Sequence, residues 1–379
     1  MLNVKVDRIK KKKGFLSKND FKKLYVKLLH EESVFIPEGL KFDTIECLLF
    51  LKSVKENCSG KINTNNVKFL TLVNSLVRDL ENKEKRVLVI DNHNLFHRSY
   101  HSFPKMVNEK GQQITVLKAT VNFLKWVLST QDRYTHIIFS SEGGNLKRKQ
   151  KTLNDEKVYK GNRSKTDPEL KEQIKFTEKV LEELGFNVLR VSEYEADDVL
   201  ASLASLYHVT AYTTDKDAYQ LFVHEGFEIL DPKTKEIYHK DKVIEKFGVT
   251  AEDFLNYQAI VGDTADNIPG IKGFGKVVAK ELVNRYHSLE NMINSSDQLF
   301  IENVEQRLNF TKAKLNSAKR KQQIFIDNFD NALKSRSLCT LNDSLFSSVP
   351  YDISYFSPIP YKNMNNIIKS RLSEHGINY

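Results

Sequence analysis

Residues 87–90 (VLVI) form an uninterrupted apolar run that stops on Asp91. A strand with no polar alternation is buried on both faces, the condition of a parallel sheet with helices packed on either side. The pattern returns at 136–139 (HIIF), 186–191 (FNVLRV) and 209–214 (VTAYTT), and the intervening stretches 115–128, 168–184 and 196–206 read as helical. Strands alternating with helices predict an α/β fold with a mainly parallel central sheet flanked by helices. Ligands of such sheets bind at the carboxyl ends of the strands, which is where Asp91 and Asp215 fall.

The core so defined spans 85–242. Before it, residues 1–84 are Lys-rich, with amphipathic stretches at 21–29 and 67–80 that read as short helices; they carry no chemistry motif. After it, residues 243–379 read as helical to about 285 and less regular beyond, with an extended Ser/Pro/Tyr-rich segment at 347–360. No apolar run reaches the length of a transmembrane helix. No apolar segment follows the basic N-terminus as a secretory signal requires. Cys47, Cys58 and Cys339 make no CxxC or Cys/His ligand pattern, so a reduced, cytoplasmic protein without structural zinc is the simple reading. The net charge of +9 fits a nucleic-acid binder, although a Lys-rich proteome would produce the same excess.

The acids are informative by position. Asp91 ends a strand, Glu195, Asp197 and Asp198 open a helix, Asp215 and Asp217 follow a strand, and Asp263 and Asp266 follow the helical run 254–261. Like charges gathered in one place raise each other's pKa, and bound cations remove that penalty. Mg²⁺ prefers carboxylate and water oxygens, and two such ions suit phosphoryl displacement. A lone Asp or Glu among these would as readily be a helix N-cap. Four acidic groups, each after its own element, are harder to explain as caps.

Residues 268–279 (IPGIKGFGKVVA) place a glycine turn between two helices. Gly273 and Gly275 form the turn, and Lys276 opens a helix whose free N–H groups suit a phosphate. This is a helix–hairpin–helix pattern, which grips a DNA backbone without reading bases. The segment 145–165 sets Lys147, Arg148, Lys149, Lys151, Lys157, Lys160, Arg163 and Lys165 against Asp155 and Glu156. Between a strand and a helix, such an insertion is either a solvated loop or a lid that brings a polyanion to the acids. Tyr159, beside Lys160 and Arg163, is placed to stack on a base or to pack.

In order along 86–282, LVIDNHNL with Arg98, YKGNR at 159–163, YEADDV at 194–199, TDKD at 214–217 and GDTADNIPG followed by GFG resemble the 5′-nuclease family. That family includes phage flap endonucleases, phage enzymes called ribonuclease H and the 5′–3′ exonuclease domain of bacterial DNA polymerase I. The resemblance implies a PIN-like core with a helical arch at about 143–170, a helix–hairpin–helix region, and hydrolysis of flapped or 5′-ended DNA or RNA·DNA in replication. It implies that Asp91, Glu195 and Asp197 hold one Mg²⁺, with Asp198 and Asp215 contributing, and that Asp217, Asp263 and Asp266 serve a second. Mn²⁺ would substitute, and K⁺ would sit at the hairpin. Asp91 and Asp197 would be catalytic, with Lys160 and Arg163 steadying the scissile phosphate. Arg98, Lys147, Arg148, Tyr159, Gly273, Gly275 and Lys276 would join Lys160 and Arg163 in contacting DNA.

One position departs from the family. Its usual Asp after the second strand is Ser140 here, with Glu142 two residues on. A second reading is therefore a flap- or junction-binding protein with a weakened metal site. A structural DNA-packaging protein would explain the charge but not the ordered acids. No polymerase or proofreading motif follows, so a free-standing, monomeric nuclease is expected, with residues 1–84 docking a replication protein, adding DNA-binding surface or serving as packing.

Overall fold

The computed structural model describes residues 85–130, 133–144, 146–155, 158–296, 312–346, 356, 358–359 and 364–377, with 15–16 and 41–42. The chain forms two compact units, Met1–Lys85 and Arg86–Tyr379. In the first, Phe15–Leu16 pairs in parallel with Lys41–Phe42. The helices expected at 21–29 and 67–80 lie outside the described residues.

The second unit is built on six strands: β1 (Arg86–Asp91), β2 (His136–Ser141), β3 (Asn187–Arg190), β4 (His208–Tyr212), β5 (Glu228–Leu230) and β6 (Ile237–Tyr238). Their order is β3-β2-β1-β4-β5-β6, and every neighbouring pair is parallel except β5–β6. The apolar run in β1 is fully buried, from Val87 to Ile90. Val87 and Val89 join Ile138, Val209 and Ala211 on one face; Leu88 and Ile90 join Ile137 and Phe139 on the other. Each such side chain contributes roughly 1.5–3 kcal/mol relative to exposure. The β5–β6 hairpin at the edge has no counterpart in the strands read from sequence, because both members are only two or three residues long.

Helix α1 (Asn92–Ser102), α2 (Thr115–Thr130) and α4 (Pro168–Glu183) cover one face; α5 (Ala196–Ala204) packs on the other. Pro168 stands in the first turn of α4, behind an Asp167 N-cap that accepts from Glu169 N. The chain runs out from β1 to β2 and β3 on one side and returns to β4 on the other. The ends of β1 and β4 therefore mark the topological switch point, where a crevice opens.

Beyond the sheet come α6 (Asp241–Phe247), α7 (Ala251–Val261), α8 (Lys276–Tyr286), α9 (Leu289–Asn294), α10 (Lys312–Asp327), α11 (Phe329–Cys339) and α12 (Met364–Glu374). Helix α7 packs on α8 and α11, and the rings of Phe247, Phe254 and Tyr257 join Tyr219 in one aromatic cluster. Helix α12 does not stay with this group. Its Met364, Ile368 and Leu372 enter the core of Leu88, Ile90 and Leu117, so the zone 243–379 is not one packing unit. Most of 347–360 lies outside the described residues. Among the described residues no helix is long and apolar enough to cross a membrane.

The segment expected to be a helical arch is mostly not helical. Among its described residues only α3 (Lys147–Lys151) and the first turn of α4 are helical, and turns follow α3. Lys160 N donates to Asp266 O at 3.0 Å, Asn162 Nδ2 to Thr264 O at 2.9 Å and Asn267 Nδ2 to Val158 O at 2.9 Å. These bonds dock residues 158–162 against 264–267.

Candidate metal centre and nucleic-acid interface

Asp91 ends β1 and caps α1. One oxygen accepts from Asn94 N at 3.0 Å and the other from Thr213 Oγ1 at 3.0 Å. Burial pushes its carboxyl up, and Asp215 adds to the rise. Asp197, in the first turn of α5, stands well above the usual carboxylate range because of burial, then Asp91 and Asp215. Asp217 is raised to about 7 by burial, then by Asp215; it accepts from Gln258 Nε2 at 2.6 Å. Asp215 thus raises Asp91, Asp197 and Asp217 alike, and Asp263 adds to the rise of Asp217. Acids forced together this way strongly favour a bound cation.

The remaining acids already hold cations from the protein itself. Glu195 accepts from Lys160 Nζ at 2.7 Å, Arg148 Nη1 at 2.9 Å and Tyr159 Oη at 3.2 Å. Burial alone would raise it, but Lys160 and Arg148 outweigh that and hold it below the usual range. Asp198 is gripped by both guanidinium arms of Arg148. It also accepts from Asn342 N at 2.8 Å and from Glu195 N at 3.1 Å, the latter closing a capping box. Asp266 pairs with Arg163 at 2.6 Å and Asp263 with Lys216 at 2.7 Å. Among the described residues no three acidic side chains converge closely enough to enclose an ion as they stand. The expected ligands therefore do not form one assembled cluster here. The oxygens of Asp198 are taken by four donors, which anchors α3 to the start of α5.

Two expected DNA contacts are corrected by burial. Tyr159 is 3% exposed and packs with Ile268, Leu338 and Cys339, so its ring does not face a base. Arg148, with its side chain 12% exposed, is spent on Glu195, Asp198 and Thr340 O. Lys147 stays half-exposed over the Tyr194 ring, and Arg98 bonds Tyr212 Oη at 2.8 Å. Ser140 is fully buried beside Asp91 in register and donates to Ile90 O at 3.1 Å. Glu142 is exposed. Ser141, on the opposite face, bonds the buried Glu178, a carboxylate that the sequence reading passed over inside a helical run.

The glycine turn is built in two parts. Gly262 and Gly270 sit back to back at φ 71° and 62°, where a Cβ on either would lie 2.7 Å from the other's backbone nitrogen. Gly273, at φ 87°, and Gly275 face open space. Phe274 and Ala279 are buried and anchor the turn, leaving Gly273, Gly275 and Lys276 exposed. The result is a protruding turn with free N–H groups at the start of α8, suited to a phosphate.

Profiles of one family match in succession: "5′-3′ exonuclease, N-terminal resolvase-like domain" over residues 86–248 and "5′-3′ exonuclease, C-terminal SAM fold" over 249–359. A 5′-3′ exonuclease of Aquifex aeolicus is 31% identical over 216 residues, covering 56% of this chain and 73% of that protein. DNA polymerase I of Bacillus subtilis is 27% identical over 291 residues, covering 75% of this chain and 30% of the polymerase. This chain thus spans less than a third of that polymerase. The T5 D15 protein co-crystallized with metal ions shares the fold, with TM-score 0.52 and 18% identity over 76% of this chain and 99% of that one. T5 5′-exonuclease with bound zinc gives TM-score 0.51 and 20% identity over 76% and 99%.

Proposed function

The chain belongs to the 5′-3′ exonuclease family, and from that premise we propose that it is a metal-dependent, structure-selective 5′-nuclease, cutting phosphodiester bonds of flapped or 5′-ended DNA or RNA·DNA during replication. The observation that carries the reading is Asp91 at the end of β1, where burial and the charges of Asp91, Asp197 and Asp215 on one another push the carboxyls of Asp91 and Asp197 up. The donor set is all oxygen, which fits Mg²⁺, with Mn²⁺ as a substitute. Asp91, Asp197 and Asp215 would hold one ion, with Glu195 once Lys160 is drawn away; Asp217, Asp263 and Asp266 would serve a second. Bound divalent ions supply Lewis acidity and a nucleophilic water at neutral pH.

The protein's own groups do the rest. Lys160 and Arg163, now on Glu195 and Asp266, are charges that a scissile phosphate would attract away from those acids. Lys147 and the exposed turn of Gly273, Gly275 and Lys276 would hold the backbone, with K⁺ at the turn. Residues 1–84 would dock a replication protein, add DNA-binding surface or serve as packing, and the enzyme would act as a monomer.

Buried Ser140, in the place of a family Asp, favours one alternative, a protein that binds flaps without cutting them. A Mg²⁺ titration on a 5′-flap DNA, with an EDTA control, separates the two. Metal-dependent cutting near the junction supports the nuclease; tight binding without cutting in Mg²⁺ and Mn²⁺ refutes it.

A further inference from the structure

On the sheet face opposite Asp197, a cavity of about 450 Å³ opens between α1, α2 and the β5–β6 turn. Aromatic rings and cations line it: Phe103, Trp126 and Tyr212 with Arg98, Lys233 and Lys235. Among the described residues no carboxylate lines it. Arg98 Nη2 and Lys235 Nζ both donate to Tyr212 Oη, at 2.8 and 3.1 Å. Lys235 Nζ lies 4.7 Å from the Trp126 ring centre and 5.0 Å from that of Tyr212. Two cations drawn to one phenol oxygen, with no acid among the described residues lining the cavity, make a site for an anion. The rings around them suit a flat, aromatic one. Phe103 stands at the rim and is 48% exposed.

We propose that this cavity takes one unpaired nucleotide of a DNA strand, with its base against Phe103 and Trp126 and its phosphate between Arg98 and Lys233. The proposal rests on the nuclease reading for its choice of DNA as the anion. Helix α1 links the two places. Asp91 caps its start and Arg98 lies two turns on, about 10 Å along the axis. A nucleotide held here would fix how far a strand extends from the carboxylates.

Trp126 is the only tryptophan in the chain, so its fluorescence reports on this cavity alone. The test titrates the full-length protein, in EDTA, with 5′-phosphorylated tetrathymidylate. Expected is saturable quenching, weakened about fivefold or more by Phe103→Ala and by Lys233→Ala. Both side chains are exposed, so both variants keep the fold. Lys369→Ala, exposed on α12 and outside the cavity lining, should quench as the parent does. The idea falls if quenching is absent at millimolar oligonucleotide, if neither cavity variant weakens it, or if inorganic phosphate or a polyglutamate peptide quenches equally well. Cleavage of 5′-flap DNA in Mg²⁺ is scored separately. Cutting with a silent Trp126 removes the cavity proposal and leaves the nuclease. Quenching without cutting removes the nuclease and leaves a nucleotide site.

Discussion

Arg148 and Asp198 form a two-armed ion pair in which the side chains are 12% and 2% exposed, and the same guanidinium reaches Glu195 and Thr340 O. One arginine thus ties α3, the start of α5 and the end of α11 together. Removing one partner of a buried pair strands the other charge, which costs about 3–5 kcal/mol. Arg148→Met should therefore destabilise the metal-free protein by that order in urea unfolding, and Arg148→Met with Asp198→Asn by much less than the sum. Additive losses would mean that the pair is not coupled.

Asp197 accepts no hydrogen bond among the described residues and is crowded by Asp91 and Asp215. Asp197→Asn should raise the melting temperature in EDTA while lowering cleavage by more than the about 10–100-fold typical of losing an outer partner of a metal ligand. Binding to flap DNA should be retained. A variant that cuts at the parental rate would remove Asp197 from the site.

The pH dependence follows from Asp217, raised to about 7 by burial and Asp215. The folded state holds this proton more tightly than the unfolded one does. Its contribution to stability is therefore complete below pH 3.8 and is lost as pH rises through about 7. Thermal melts in EDTA should show stability from this group falling from pH 3.8 to about 7, and Mg²⁺ should restore it most at the alkaline end. In Asp217→Asn that part of the slope should vanish; an unchanged slope would assign it to other groups.

Ser140 stands beside Asp91 in the sheet, fully buried. Ser140→Asp should lower the melting temperature without metal, by adding a charge to a crowded site, and should tighten Mg²⁺ binding in calorimetry. Unchanged affinity would mean that the position does not face the ions.

The paired glycines differ from the exposed one. Gly270→Ala forces a positive φ on alanine and a 2.7 Å contact with backbone, and should cost more than about 1–2 kcal/mol. Gly275, at φ −76° with open space around it, should accept alanine within about 0.5 kcal/mol. The same change should weaken duplex DNA binding in anisotropy, because the methyl group would stand over the free N–H groups of α8. Unaltered binding would move the DNA elsewhere.

The parallel sheet was legible because uninterrupted runs such as 87–90 have one physical meaning, and Asp91 was legible because such a strand ends at the crevice. Tyr159 and Arg148 misled for one reason. Their neighbours in sequence are basic, but their burial is set by Leu338 and Thr340, residues far along the chain. Local composition could show that the segment carries charge, not that it would dock on 264–267. The short β5–β6 hairpin and the return of α12 to the core are likewise decided by distant packing.

That return of α12 bears on how the protein is made. Met364, Ile368 and Leu372 close a core begun by Leu88 and Ile90, joining residues more than half the chain apart. Contacts of such long sequence separation form late, since a large loop must be ordered before they repay it. On the ribosome, the layer beneath α12 stays open until α12 itself emerges. Nascent chains that stop short of α12 should keep that apolar layer exposed and be held by chaperones longer than chains that include it.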